Sequence, residues 1–149
     1  MSIAEEVGLL RKVPLFANID PARLKLLAFT SERLGYRPGE KLCRQGEMGD
    51  SAFILMDGEA SVSVETPDGD MEVAMLGKGD VLGEIAILCD VPRTATITAK
   101  GEVTALRISK ELFFQLVKDS PDIAIEIMRE LAQRLERTTV QLLAAKSGR

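Results

Sequence analysis

The chain has 149 residues, of which 46% are hydrophobic and 28% are charged, and it contains no histidine. This apolar content suffices for one hydrophobic core, so we expect a single domain over residues 1–149, and the formal net charge of -4 argues against nucleic acid or an anionic membrane as the main partner. Without histidine there is no Ser-His-Asp triad, no Cys-His pair and no imidazole-ligated metal, which excludes most hydrolytic and oxygenase chemistries.

The first part of the chain, residues 1–34, is predicted to form helices. An apolar residue at every third position from Val7 to Val13 indicates a first helix, and Pro14 interrupts it. Asp20 is a favourable N-cap for a second helix, with Pro21 at the first helical position. The amino terminus lacks the basic-then-apolar layout of a signal peptide, and no segment approaches the ~20 apolar residues of a membrane span, so we expect a cytoplasmic protein.

Short segments with period-two alternation, separated by glycines, extend over residues 35–108 and predict strands and turns. Ala52–Met56 and Ala60–Val64 flank the pair Asp57-Gly58, so we expect a hairpin with a type I′ turn. Pro67-Asp68-Gly69 predicts the next reversal of the chain.

Thr94–Ala99 and Val103–Ile108 are predicted to form a further strand pair. The whole region therefore predicts an all-β sandwich or barrel of about eight strands. Cys43 and Cys89 lie in strand and helix contexts without the spacing of a metal or redox pair, and we expect both to be buried, reduced thiols.

One segment inside the β region breaks the strand pattern. Gly83 is followed by Glu84–Leu88, which fits one or two helical turns that end before Pro92. The free backbone N–H groups at the start of such a helix form a small anion site, and Arg93 on the next strand has the planar fork to hold two oxygens of the same anion. On these residues alone the alternative stays open that Gly83 merely precedes a turn and that Arg93 is a solvated surface charge.

Helical signals return over residues 109–145. Ser109 is predicted to cap a helix that runs to about Lys118, and Ser120-Pro121-Asp122 to open a long helix that runs towards Ala145. Along the long helix, apolar and small residues recur at alternating steps of three and four, the spacing of a coiled-coil seam: Met128, Leu131, Leu135, Thr138, Leu142 and Ala145. The seam predicts a homodimer, and the alternative is that the helix lies on its own barrel.

The segment around Gly83 also carries a family resemblance. Gly83-Glu84-Ile85-Ala86, together with Pro92-Arg93-Thr94-Ala95-Thr96, closely resembles the phosphate-binding cassette of the cyclic nucleotide-binding domain family, found in bacterial catabolite activators, kinase regulatory subunits and nucleotide-gated channels. Glycines upstream look like the turns of the family, and the helix–barrel–helix order agrees over about residues 13–143. The resemblance implies a mainly β fold with flanking helices: an eight-stranded, jelly-roll-like β-roll with N-terminal helices, a short cassette helix and C-terminal helices.

The resemblance also implies how the cassette, residues 82–96, would hold a phosphate. Gly83 and the N–H groups around Ile85 and Ala86 would face the cyclic phosphate, and Arg93 would neutralise it. Thr94 would donate to a phosphate oxygen or, if the ligand were cGMP, reach the guanine.

The remaining cassette positions are implied to hold the rest of the ligand. Glu84 would accept a hydrogen bond from the ribose 2′-hydroxyl, because a carboxylate is purely an acceptor. Leu82 stands where the family usually has an aromatic residue, and this departure should alter packing and leave the ligand chemistry unchanged. Leu82 and Ala95 complete the implied binding set.

The long helix carries a second, shorter resemblance. Arg134-Leu135-Glu136-Arg137-Thr138-Thr139 is similar to the catabolite-activator helix, in which an Arg and a Thr-Ser pair approach the purine across a dimer. It implies that Arg134, Thr138 and Thr139 also bind the ligand.

We therefore predict a cAMP or cGMP receptor that reports binding through its C-terminal helix, with no catalytic activity, no metal and no further cofactor. Two rivals stay open: an enzyme with Glu84 and Asp90 as paired carboxylates, which lacks metal ligands, and an interaction module of the same fold that has lost its ligand. The same features would suit the excised regulatory domain of a channel or a transcription regulator. No helix-turn-helix follows the long helix, which disfavours direct DNA binding.

Overall fold

Two antiparallel sheets form the middle of the chain in the computed structural model, which describes residues 2–17 and 19–147. Within these residues the chain forms eight strands: β1 (Glu32–Tyr36), β2 (Lys41–Cys43), β3 (Ser51–Asp57), β4 (Ala60–Thr66), β5 (Gly69–Leu76), β6 (Val81–Leu82), β7 (Thr96–Ala99) and β8 (Val103–Ser109). One sheet has the order β1-β8-β3-β6 and the other the order β2-β7-β4-β5. The expected mainly β fold of about eight strands is confirmed.

Helices precede, interrupt and follow these strands. They are α1 (Ile3–Arg11), a 3₁₀ turn at Pro14–Phe16, α2 (Pro21–Thr30), the short α3 (Glu84–Cys89), α4 (Lys110–Asp119) and α5 (Pro121–Ser147). The predicted caps are confirmed, because Asp20 accepts a hydrogen bond from the Ala22 amide before α2 and Ser109 accepts one from the Leu112 amide before α4. Among the described helices, none combines the length and the apolar character needed to cross a membrane.

The first strand begins earlier than the sequence pattern predicts. β1 starts at Glu32, whereas the β region was expected from residue 35. Residues 32–36 pair with residues 107–103 of β8 along the edge of their sheet. Long-range pairing therefore decides this boundary, since the segment has little alternation of its own.

Two predicted strand pairs are wrong. β3 and β4 flank Asp57-Gly58 but lie in different sheets, and the same holds for β7 and β8. The type I′ turn is also wrong, because Gly58 has a φ of 90° while Asp57 is not left-handed. A Cβ at Gly58 would overlap the carbonyl oxygen of Glu102, so the crossing between the sheets needs glycine at this position.

The physical reason for both errors is the same. Alternation of apolar and polar residues identifies the two faces of a strand, but it does not say which sheet the strand joins. Where the connection does make a hairpin, the prediction is confirmed: β4 and β5 pair up to Thr66 and Gly69, at either end of the predicted reversal.

β3 is the central strand of the core, and all of its residues except the last are buried. Ala52, Ile54 and Met56 pack beneath the helices, in a cluster to which α1, α2, α4 and α5 contribute. The intervening Phe53 and Leu55 pack between the two sheets. A strand covered on both faces is continuously apolar, which is how β3 reads in the sequence.

The long helix α5 packs on the rest of the domain only along its first part. Ile123 and Ile127 are buried in the cluster beneath the helices, and Leu131 packs against it. Every side chain from residue 132 to residue 145 is exposed. Beyond Leu131 the helix is therefore not anchored by buried side chains up to residue 145, and the choice between a dimer seam and a helix lying on its own barrel stays open.

The two cysteines are free thiols, as expected, but they are less buried than expected. Cys43 is half-buried in β2, and Cys89 is exposed in the last turn of α3. This short helix turns Ala86 and Ile87 inward, which leaves Cys89 on its outer side.

Candidate functional site

The chain between β6 and β7 forms the predicted short helix. Gly83 is the N-cap of α3 and has a φ of 85°, a left-handed conformation that favours glycine. Asp90 ends the helix with a φ of 54°, and the Val91 amide donates to the Ala86 carbonyl at 3.2 Å. Ile85 and Ala86 lie in the first turn of α3, where backbone N–H groups have no partner within the helix.

Arg93 brings a buried positive charge to the start of α3. The residue is 7% exposed, and its guanidinium donates to the carbonyl oxygens of Gly83 (Nη1, 3.0 Å) and Ser51 (Nη2, 2.7 Å). Its Cζ lies 5.8 Å from the centre of the Phe53 ring. Among the residues that the structure describes, no carboxylate forms an ion pair with this guanidinium. The alternative of a solvated surface arginine is therefore wrong.

Two glycines make room for this side chain. A Cβ at Gly83 would overlap Nη1 of Arg93, and a Cβ at Gly49 would lie 2.8 Å from both Arg93 Cζ and Ala86 Cβ. Sequence reasoning did not single out Gly49 and missed Ser51 and its carbonyl. Neither contact could be inferred locally, because each joins residues about forty positions apart in the chain.

A cavity of about 720 Å³ lies beside α3, in the size range of small-molecule sites. The predicted cassette residues that line it are Leu82, Gly83, Glu84, Ala86, Arg93, Thr94 and Ala95. The sheet that contains β5 adds an apolar wall of Val62, Ala74, Met75, Leu76 and Ile97. Cys43 lies in the same wall, and burial raises the pKa of its thiol more than the nearby Arg93 lowers it, which favours an unreactive protonated form.

One face of α5 closes the other side of the cavity. Its lining residues lie on one face of the helix and are all polar: Glu130, Gln133, Arg134, Arg137, Thr138 and Gln141. Sequence reasoning named Arg134 and Thr138 and missed the other four, although the same helical spacing marks them. Thr139 does not line the cavity.

The two threonine hydroxyls both bond to their own helix. Thr138 donates to the Arg134 carbonyl and Thr139 to the Leu135 carbonyl, each at 2.9 Å. Either hydroxyl would have to rotate or share its hydrogen bond to serve another group.

Glu84 links α3 to α5. Its side chain is buried, and Oε1 lies 3.5 Å from Nη2 of Arg134. The enzyme hypothesis paired Glu84 with Asp90. Asp90 is exposed and lies outside the cavity lining, and its Oδ1 is 3.5 Å from Nζ of Lys110. The structure therefore gives these two carboxylates different partners and does not bring both into the cavity.

A further carboxylate, Glu130, faces Glu84 across this part of the cavity. Partial burial raises the pKa of Glu130, and the negative charges of Glu84, Glu126 and Asp80 raise it further, while Arg134 lowers it. The cavity thus contains acidic groups of α5 and α3 that interact with each other and with Arg134.

The family model described as the cyclic nucleotide-binding domain matches residues 33–120. The CRP-like cAMP-activated global transcriptional regulator of Mycobacterium tuberculosis is 27% identical over 135 residues, which cover 90% of this chain and 60% of that protein. The chain therefore spans less than two thirds of the length of this relative.

Two solved structures extend the comparison. A cyclic nucleotide-binding-like protein from Brucella abortus is 32% identical with a TM-score of 0.67, over 76% of this chain and 98% of that one. The Thermus thermophilus catabolite activator protein is 25% identical with a TM-score of 0.80, over 87% of this chain and 61% of that one. The expected β-roll is confirmed by these neighbours.

Glu130→Gln should stabilise the protein increasingly as the pH rises from the ordinary glutamate range towards neutrality. A carboxyl whose pKa is raised in the folded state binds its proton more tightly there than in the unfolded chain, so ionisation costs stability across that interval. Urea unfolding at about pH 4 and about pH 7 measures the change. Glu136→Gln, on an exposed part of the same helix, is the control for the loss of one negative charge. If both variants change the free energy of unfolding equally at the two pH values, the raised pKa of Glu130 is contradicted.

Proposed function

The chain belongs to the cyclic nucleotide-binding domain family, and from that premise we propose that it is a receptor domain that binds cAMP or cGMP in the cavity beside α3. The observation that carries this proposal is the buried guanidinium of Arg93, which lines the cavity without a carboxylate partner among the described residues. A buried charge that has only carbonyl dipoles as partners is costly. A phosphate monoanion in the cavity would compensate it with two charged hydrogen bonds.

The phosphate would lie between Arg93 and the start of α3. In this proposal the N–H groups of Ile85 and Ala86 donate to its free oxygens, and the left-handed Gly83 lets the backbone approach closely. Thr94 is exposed at the edge of the cavity, where its hydroxyl can donate to the same group. Arg93 would supply the positive charge that neutralises the phosphate, and the backbone amides of α3 would orient it through hydrogen bonds.

The ribose and base would occupy the rest of the cavity. Glu84 is the acceptor that we assign to the 2′-hydroxyl, because it is buried at the cavity wall directly after Gly83. Leu82 and Ala95 would contribute apolar contacts, and the polar face of α5 with Arg134 and Thr138 would approach the base. Thr139 has no cavity contact of its own in this arrangement.

Binding would be reported through α5. Glu84 would bond the ribose and already lies 3.5 Å from Arg134, so the ligand would change the contact that links α3 to α5. A ligand shifts a conformational equilibrium only through contacts that differ between the two states, and this is such a contact. We propose a regulatory and not a catalytic role, exerted in the cytoplasm, over one unit spanning residues 1–149. The ligand-free interaction module is disfavoured because it leaves the charge of Arg93 uncompensated.

A second copy of the chain would pair along the seam of α5. Met128, Leu135 and Leu142 on this seam are exposed, and clustered exposed apolar residues are typical of an interface. Thr138 lies on the same seam and also lines the cavity, so a dimer would bring the partner helix next to the ligand. This homodimer is part of the proposal.

Arg93→Ala should weaken cAMP binding by ~2–5 kcal/mol, the loss expected when one member of a desolvated charge pair is removed. Isothermal titration calorimetry with cAMP and cGMP measures it. Arg107→Ala is the control: it removes a half-exposed arginine of β8 that lies outside the cavity lining. This variant should bind cAMP with nearly the affinity of wild type. A folded Arg93→Ala protein with affinity within about threefold of wild type would remove the proposed phosphate site.

Glu84→Ala should abolish most of the preference for cAMP over 2′-deoxy-cAMP, by the ~1.5–3 kcal/mol of a charged hydrogen bond. Both ligands are titrated into wild type and into Glu84→Ala. The difference between the two ligand preferences cancels any loss of affinity that is common to both ligands. Asp90→Ala is the matched control because this carboxylate lies outside the cavity lining. An unchanged preference in Glu84→Ala would refute the ribose assignment.

The dimer should be coupled to the ligand by ~1–3 kcal/mol, because linkage is reciprocal when dimerisation completes the pocket. Sedimentation velocity over a concentration series, with and without cAMP, measures the dimer constant of wild type and of Thr138→Ala/Thr139→Ala. Leu135→Glu on the seam should abolish the dimer, while Val140→Glu, equally exposed but off the seam, should not. A dimer constant that cAMP leaves unchanged would contradict the coupling.

A further inference from the structure

The strand β5 is a long sheet edge without a partner on one side. It has eight residues, and its only neighbour among the described strands is β4. The other edge strands are shorter: β1 has five residues, β2 three and β6 two. All of β5 except Leu76 is exposed. Its outer N–H and C=O groups are therefore accessible to another extended chain.

This edge carries few of the features by which proteins usually protect edges. Short length, lysine, proline and bulges discourage pairing with a foreign strand. β5 contains neither lysine nor proline, and only one irregularity interrupts its pairing, opposite Val62 and Ser63. Met71, Val73 and Met75 are instead exposed by 52%, 53% and 46%, which offers apolar contacts along the same strand.

The hairpin that ends in this edge is acidic throughout. Residues 60–76 contain Glu65, Asp68, Asp70 and Glu72 and no lysine or arginine. Glu65 and Asp70 are direct cross-strand neighbours, so two of the carboxylates reinforce each other. Lys100 lies 3.6 Å from Glu72 as a countercharge, and both members of that pair are half-exposed, so the ion pair contributes little.

The negative charge of the hairpin determines which kind of segment can bind at the edge of β5. Pairing of two β5 edges would oppose carboxylates to carboxylates, which disfavours self-association by this strand. A basic segment would gain both the main-chain hydrogen bonds of the edge and attraction to its carboxylates. We propose that β5 binds an extended segment of a partner protein, rich in lysine or arginine and alternating with apolar residues, as an additional strand of the sheet.

Direct binding of a synthetic segment tests this. The probe is a capped, fluorescein-labelled octapeptide in which lysine and valine alternate, titrated into the whole chain and followed by anisotropy. Asp70→Lys/Glu72→Lys should weaken binding by at least about tenfold, and Glu111→Lys/Asp122→Lys, the same charge change at exposed sites on α4 and α5, by no more than about twofold.

Two further measurements separate strand addition from simple charge attraction. A peptide N-methylated at alternate residues keeps its charge but lacks the N–H groups of one edge, so it should bind at least about tenfold more weakly. On wild-type protein, amide hydrogen exchange should slow in residues 70–75 when the unmethylated peptide is added. These measurements need no variant, so they remain informative if the edge substitutions disturb folding.

Four outcomes would overturn the proposal. They are no binding up to about 1 mM peptide, equal losses in the two charge variants, equal binding of the methylated peptide, and slowed exchange elsewhere than β5. A wild-type dimer that Asp70→Lys/Glu72→Lys dissociates would instead identify a second copy of the chain on this edge, also against the proposal.

Discussion

The buried guanidinium of Arg93 fixes the relative position of the parts that form the cavity. Nη1 of Arg93 donates to the carbonyl of Gly83 at the start of α3, and Nη2 donates to the carbonyl of Ser51 at the start of β3. A single side chain therefore joins two elements that are far apart in the sequence. Hydrogen bonds from a charged donor contribute about 1.5–3 kcal/mol each, but dehydrating the cation opposes this gain. The requirement for glycine at positions 49 and 83 follows from this arrangement, since any larger residue would displace the arginine.

Charged residues of α3 and α5 meet where the long helix closes the cavity. Glu84 and Glu130 lie close enough to interact, and among the described residues Arg134 forms an ion pair with Glu84 at 3.5 Å. This contact is long for a salt bridge and half-exposed on the arginine side, so it holds α5 weakly. From residue 132 to residue 145 every side chain of the helix is exposed, so none of them anchors it. A helix attached so loosely over a charged cavity is suited to move when the charge inside changes.

Local chemistry in the sequence predicted the elements well. Asp20 and Ser109 cap helices because their side chains accept backbone hydrogen bonds within three residues, and Gly83 starts α3 because its conformation is left-handed. Pairing was predicted poorly, because the assignment of β4 and β8 to their sheets depends on contacts far along the chain. The same holds for the site: the cassette was visible as a motif, whereas the Ser51 carbonyl becomes recognisable only when distant segments meet.

β5 belongs both to the cavity and to the free edge of its sheet. Ala74 and Met75 line the cavity, while Met71 and Asp70 lie further along the same strand towards the hairpin tip. The backbone of β5 is continuous from the hairpin to the cavity wall and is paired on one side, with β4. If a segment bound at the edge straightens or twists β5, the wall of the cavity shifts with it, and the affinity for a ligand inside must change. By reciprocity the ligand would then change the affinity of the edge by the same factor, and this would couple the two surfaces even though no residue need touch both occupants.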